Sequence, residues 1–253
     1  MSSSPPVLVL VPGAFGTPEG YAKLSPYLAE AGIPTQPGGY PSADPADPTT
    51  ATCAKDIAHL RDHVLLPLLD GQQNDVVLLA HSYGGVVGGA ASKGLDRQTR
   101  TAGGYRTSIV GLIYVAGNIT LEGESLLQAV GGVVAKPSPN LALIEPHMIH
   151  LYNDCDASRA SELARAMVPH ASLAFETPPS APGWADAGFE GRRVYIHTLD
   201  DACNPASLQQ AWLAKSKVEW EVVEFQSGHM PMVSRPKELA AQIVKSVGGF
   251  VAL

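Results

Sequence analysis

Cysteine is scarce, basic residues are outnumbered and no long apolar run appears, and each absence removes a class of protein. Cys53, Cys155 and Cys203 are odd in number and widely scattered. That excludes a disulfide framework or a zinc-ligand pattern and fits a reducing compartment where thiols stay free. With 17 Lys and Arg against 24 Asp and Glu, the net charge is −7. No block of like charge offers a local exception, so nucleic acid is not an expected partner. No apolar stretch approaches the ~20 residues needed to cross a bilayer. Met1 to Pro6 lacks the basic and apolar regions of a secretion signal. The expectation is a cytoplasmic protein without a membrane partner. Repeats and low-complexity tracts are also missing.

What remains is a chain of 253 residues, 45% hydrophobic, long enough to bury a large core without disulfides or metals. Length alone does not choose between one domain and two. Val7 to Val11, Val76 to Ala80, Ile109 to Ala116 and Val194 to Thr198 are apolar without alternation, as parallel strands covered on both faces should be. Shorter candidates cover Ile33 to Gln36 and Glu219 to Phe225. Helices are expected from about Pro18 to Ala31, over Asp56 to Leu69 with Pro67 disturbing its end, after Tyr83, and from about Lys237 to Val247. This alternation predicts an α/β fold: a mostly parallel central sheet with helices on both faces. Gly117 to Glu190 breaks the pattern, with no evident strand, a helical piece around Ser158 to Met167 and a Pro-rich exit. The expected organisation is a core of residues 1–117 and 191–253 with 118–190 inserted as a cap over the sheet's C-terminal edge, where ligands bind in open α/β sheets.

Three segments carry residues suited to nucleophilic catalysis. Ala80-His81-Ser82-Tyr83-Gly84-Gly85 lies between a strand and a helix, the context of the G-x-S-x-G nucleophile elbow with Ala80 in place of the first glycine. The positions two residues either side of the nucleophile must be small so that strand and helix can approach. Gln226-Ser227-Gly228-His229 follows the last strand, so His229 can reach back over the sheet edge as a base. Asp200-Asp201 follows the strand before it, and by composition either carboxylate could orient the imidazole. An oxyanion hole needs two backbone N–H groups. Tyr83 offers one, and Ala14, after the close-approaching Gly13, offers the other. Plainer readings exist for each: a helix N-cap serine, a surface histidine, acidic residues at a helix N-terminus, an ordinary Pro-Gly turn. Gly13, Phe15, Tyr83 and Met230 are candidate pocket walls, with core packing as the alternative. His147, His150 and His170 fall in the expected cap, where they could touch a substrate; His59 and His63 fall on a helix.

These segments together resemble the small α/β-hydrolases that include plant methylesterases and hydroxynitrile lyases and their fungal and bacterial relatives. The resemblance covers essentially the whole chain. It rests on Val9 to Phe15, His81 to Gly85, Val194 to Asp201 and Gly228-His229. It implies the α/β-hydrolase fold and a Ser82–His229–Asp201 triad, selecting Asp201 over Asp200. Two departures matter. Pro12-Gly13 stands where the family usually has His-Gly. The lyases carry a threonine at the Gly13 position and a lysine at the Met230 position, so cyanohydrin cleavage is not expected. The resemblance thus implies a cofactor-free, metal-free serine hydrolase acting on a carboxylic ester or lactone of a small organic molecule through an acyl-enzyme. The alternatives are a C–C bond hydrolase or lyase, or a polyketide-tailoring enzyme, on the same triad, and a non-catalytic small-molecule-binding protein. Homodimerisation is left open.

Overall fold

The computed structural model describes residues 4–131, 140–142 and 150–253. Strands β1 (Val7–Val11), β2 (Thr35–Pro37), β3 (Val76–His81) and β4 (Ile109–Val115) come first. A two-residue ladder follows, β5 (Leu141–Ala142) with β6 (His170–Ala171), and the chain returns through β7 (Arg193–Thr198) and β8 (Glu221–Phe225). Six of them form one sheet in the order β2-β1-β3-β4-β7-β8, parallel at every pairing. The continuous apolar runs are explained by its two faces. Val7, Val9, Val11, Leu78 and Ala80 point into one core, while Leu8, Leu10, Val77 and Leu79 point into the other. Both layers are sealed by helices, so neither side of these strands needs polar residues.

Among the described residues the helices in chain order are α1 (Ser25–Glu30), α2 (Cys53–Leu60), α3 (Gly84–Ala91), α4 (Arg97–Ala102), α5 (Leu126–Val130), α6 (Ala157–Arg165), α7 (Ser172–Glu176), α8 (Ala206–Ser216), α9 (Pro231–Ser234) and α10 (Pro236–Ala252). The single helix expected over Pro18 to Ala31 is two pieces, a 3-10 turn at Pro18–Tyr21 and α1. Pro26 sits in the first turn of α1, where its missing N–H costs nothing, and a helix running through it would lose a bond. Gly32, at φ 72, closes α1 as expected. Pro67 does not end the second long helix. After α2 the chain widens into π winding over Arg61–Leu65 and Pro67–Gly71, with the Leu66 N–H donating to Arg61 O. That geometry steps around the bond proline cannot make.

Between β4 and β7 lie α5, the β5–β6 ladder, α6 and α7. The ladder corrects the expectation of no strand there; pieces of two residues carry too little periodicity to read. Helix α6 is capped by Asp156, whose side chain accepts from the Arg159 N–H. Among the described residues no helix is long and apolar enough to cross a membrane. Cys53, Cys155 and Cys203 are free thiols.

The turn from β3 into α3 decides where the chemistry can sit, and it depends on Gly84. A Cβ there would overlap Val11 O and stand 2.7 Å from Pro12 O, both backbone atoms of the neighbouring strand exit. Gly84→Ala should therefore lower the melting temperature by several degrees, the scale of a 1–3 kcal/mol overpacking penalty in a domain of this size. Thermal denaturation checks this, and an unchanged midpoint would contradict the close approach. On the strand side the Ala80 methyl faces α3 at Gly88 without crowding: even a Cβ on Gly88 would stand 3.6 Å from it, an ordinary van der Waals contact.

Candidate active site

Ser82 occupies the turn after β3 with φ 50, a left-handed conformation that non-glycine residues rarely adopt. Such strain persists only where the surroundings over-determine it. Here the Ser82 N–H donates to Val115 O, and Ser82 O accepts from Gly85 N and Asn118 N at 2.8 and 2.9 Å. The side chain is half-buried, and Oγ makes no hydrogen bond among the described residues. It opens on a cleft that it shares with Gly13, Ala14, Phe15, His229 and Met230. Leu151, Tyr152, Leu163 and Met167, from the stretch between β4 and β7, also line it.

His229 is buried, and its Nδ1 lies 2.8 Å from Asp201 Oδ2. Asp201 is held on every side. Its Oδ1 accepts from the N–H groups of Cys203 and Asn204 at 2.8 and 2.7 Å, and its Oδ2 also accepts from Thr198 Oγ1 at 2.9 Å. Burial works to raise this carboxyl, yet the His229 charge and these hydrogen bonds hold it below the ordinary carboxylate range. Asp200, one residue earlier, is exposed and bonds Gln226 Nε2 at 2.6 Å. Neither aspartate caps a helix, since α8 begins only at Ala206 behind Pro205.

The N–H groups of Ala14 and Tyr83 have no backbone or side-chain acceptor among the described residues. Gly13 packs against the elbow: a Cβ there would stand 2.8 Å from His81 Nδ1 and 3.1 Å from Ser82 Cβ. Phe15 and Met230 line the cleft, but the Tyr83 side chain does not. It is buried, and its hydroxyl donates to Asp56 Oδ2 at 2.8 Å. Cys203 also lines the cleft, but burial pushes its thiol up to about 12. It stays protonated and unreactive at neutral pH.

The other histidines separate by position. His81 was visible only as a motif spacer; it is buried, and its Nε2 donates to His229 O at 2.9 Å, steadying the loop that carries the imidazole. Burial, followed by the His229 charge, lowers its pKa to about 3, so it is neutral with Nδ1 unprotonated. His170, expected as a cap residue able to touch substrate, is fully buried behind the cleft, where burial likewise lowers it to about 3. His150 lies outside the cleft lining and approaches Ala202 O, and His147 falls outside the described residues. No signal short of the folded chain links His170 to the site, because its partners are 128 and 155 positions away.

Comparison with known proteins agrees with this architecture. The model of the alpha/beta hydrolase family matches residues 8–242. The carbendazim hydrolyzing esterase of Nocardioides sp. is 30% identical over 201 residues, covering 73% of this chain and 76% of that protein. The alpha/beta hydrolase nvfD of Aspergillus novofumigatus is 26% identical over 256 residues, 96% of this chain and 97% of its own length. Among solved structures, a methylesterase from Arabidopsis superposes with a TM-score of 0.67 at 20% identity, covering 96% of this chain and 99% of that one.

Proposed function

Because the chain belongs to the α/β-hydrolase family, we propose that it is a serine hydrolase of carboxylic esters or lactones of small organic molecules. The observation that carries this reading is the 2.8 Å His229–Asp201 contact beside a strained Ser82 in one apolar cleft. In this reading residues 118–190 act as a cap, and the substrate lies between them and the elbow. His229 Nδ1–H is committed to Asp201, which leaves Nε2 as the base. Nε2 takes the Ser82 proton as Oγ attacks the carbonyl carbon, and the carbonyl oxygen becomes an oxyanion held by the N–H groups of Ala14 and Tyr83. Collapse breaks the bond to the leaving oxygen, which takes the proton from His229 and departs as an alcohol. Water then attacks the acyl-enzyme, giving its proton to His229, and the acid is released as Ser82 recovers its own. The free Ser82 Oγ suits a catalytic hydrogen bond that tightens only when substrate is bound. That one curated relative is named as an esterase favours ester chemistry over C–C cleavage.

Labelling with a fluorophosphonate, with peptide mapping and Ser82→Ala as control, tests the reading. Label on Ser82, absent from the variant, together with turnover of 4-nitrophenyl acetate, is the expected outcome. Folded protein that takes no label would contradict an activated serine and point to ligand binding without turnover.

A further inference from the structure

Behind the cleft, away from substrate, a buried chain of polar groups joins the two backbone segments that carry the free N–H groups. It runs through three parts of the sequence: the Gly- and Pro-rich loop before α2, α2 itself and strand β6. The Phe15 N–H donates to His170 Nδ1 at 3.2 Å, and His170 Nε2 lies 2.7 Å from Ser42 Oγ. Ser42 Oγ in turn meets Asp56 Oδ2, while the Ser42 N–H donates to Asp56 Oδ1 at 3.1 Å. Asp56 Oδ2 also accepts the Tyr83 hydroxyl at 2.8 Å. Ser42, Asp56 and His170 are each 0% exposed, so bulk solvent does not compete for these bonds.

The direction of donation along the chain is fixed by chemistry. A backbone N–H can only donate, so His170 Nδ1 must accept, and the ring proton sits on Nε2. Nε2–H then donates to Ser42 Oγ, whose own proton goes to the Asp56 carboxylate, so every member is satisfied in this arrangement. A fully satisfied buried network of this kind rigidifies what it touches.

What it touches is the loop at the exit of β1. That loop is pinned at Pro12 O by the Tyr40 hydroxyl and at Phe15 by both His170 and the Val168 N–H, which donates to Phe15 O at 3.1 Å. Phe15 is held at φ 65, costly for a non-glycine residue. Between the pins lies Ala14 with its N–H free. On the other side, Tyr83 supplies the second free N–H, and its hydroxyl ends on the same Asp56. Both halves of the proposed oxyanion hole therefore hang on one buried carboxyl group, and strand β6 is part of the scaffold.

We propose that Asp56, Ser42 and His170 form a positioning relay that sets the separation and aim of the Ala14 and Tyr83 N–H groups, tying the inserted segment to transition-state stabilisation at Ser82. The proposal rests on the serine-hydrolase reading above. None of the three residues touches substrate; they act through backbone placement. Misplacing an oriented group by about 1 Å costs on the order of a hundredfold in rate, so loss of the relay should lower kcat by 10- to 100-fold and leave KM within about threefold.

The test compares Ser42→Ala and His170→Leu with Ser42→Thr and His170→Asn, which keep a hydroxyl and an acceptor for the Phe15 N–H. Each variant is titrated with a fluorophosphonate to count active serines, and kcat and KM for 4-nitrophenyl acetate are expressed per titrated site. A boronic acid that forms a tetrahedral adduct on Ser82 reports the oxyanion hole separately. The expected result is a lower kcat per site in the first pair, boronate affinity falling in parallel, and substantial recovery in the second pair. Titration removes the contribution of any misfolded fraction, so a variant that is merely unstable shows fewer sites with normal kcat, and that result would overturn the proposal. So would a loss expressed mainly in KM. A wild-type protein that takes no label would instead bring down the serine-hydrolase reading, and the relay with it.

Discussion

Asp201→Asn is expected to fold, bind substrate and lose about 10⁴ in kcat, as removal of the orienting charge does in triad enzymes. The surroundings of Asp201 make the direction of failure specific. Its Oδ1 faces two backbone donors, Cys203 N–H and Asn204 N–H, so an asparagine there must turn its carbonyl oxygen toward them. The amide nitrogen is then left facing His229 Nδ1 and Thr198 Oγ1. A donor opposite Nδ1 forces the ring proton onto Nε2, the atom required as base. The hydroxyl of Thr198 can rotate to accept, so the fold survives while the tautomer is wrong. Asp200→Asn, on an exposed side chain whose partner is Gln226, should stay within about twofold of wild type, as surface changes usually do. The measurement is kcat per fluorophosphonate-titrated serine for both variants. Equal losses, or a drop of less than tenfold for Asp201→Asn, would remove Asp201 from its role.

Stability is expected to fall steeply as the pH drops from about 7 toward 5, driven by His81 and His170. Both are held neutral by burial, with folded pKa values lowered to about 3, against about 6.5 in an unfolded chain. Between those values the unfolded state binds protons that the folded state refuses, so protonation pulls the equilibrium toward unfolding. Their contribution is complete above about pH 6.5 and is lost progressively as pH falls toward 3, at up to about 1.4 kcal/mol per pH unit for each histidine. Asp201 has the same sign, but its lowered pKa acts only at and below the ordinary carboxylate range, so it adds nothing between pH 7 and 5. Urea midpoints across this range should show the slope, and His81→Gln or His170→Asn should each flatten it by about one proton. A wild-type midpoint independent of pH between 7 and 5 would mean that the folded state accepts these protons. Acidification also threatens function at the same point, because a proton on His170 Nδ1 would face the Phe15 N–H donor.

The four main strands were legible from their apolar stretches, longest in β1, β3 and β4 and only Val194 to Ile196 in β7, because all four are buried on both faces. The elbow was legible because its demands are local: a strand, a serine between small residues, a helix. Helix ends were less so. Pro26 divides one expected helix and Pro67 leaves another continuous, because the outcome depends on whether the backbone can rewind into a wider turn at each site. The choice between Asp200 and Asp201 also lay beyond composition. A single residue step at the end of β7 turns one carboxylate toward His229 and the other to solvent.

By itself, then, the amino-acid sequence determined the parallel layered core, the serine on its strained turn and the candidate partners that follow the last two strands. Those features depend on residues within a few positions of one another, where periodicity and side-chain size suffice. The resemblance to a family pointed to Asp201, and the fold brings that carboxylate to the imidazole; only the tertiary structure decided that Tyr83 points away from the cleft and that His170 stands behind Phe15 rather than in the cleft lining. Each of these is a contact between segments far apart in the chain. Ser42, Asp56 and His170 show the limit most plainly: 14 positions separate the first two and 128 separate Ser42 from His170. Nothing local distinguishes a buried, fully bonded polar residue from a solvated one until packing has excluded the water.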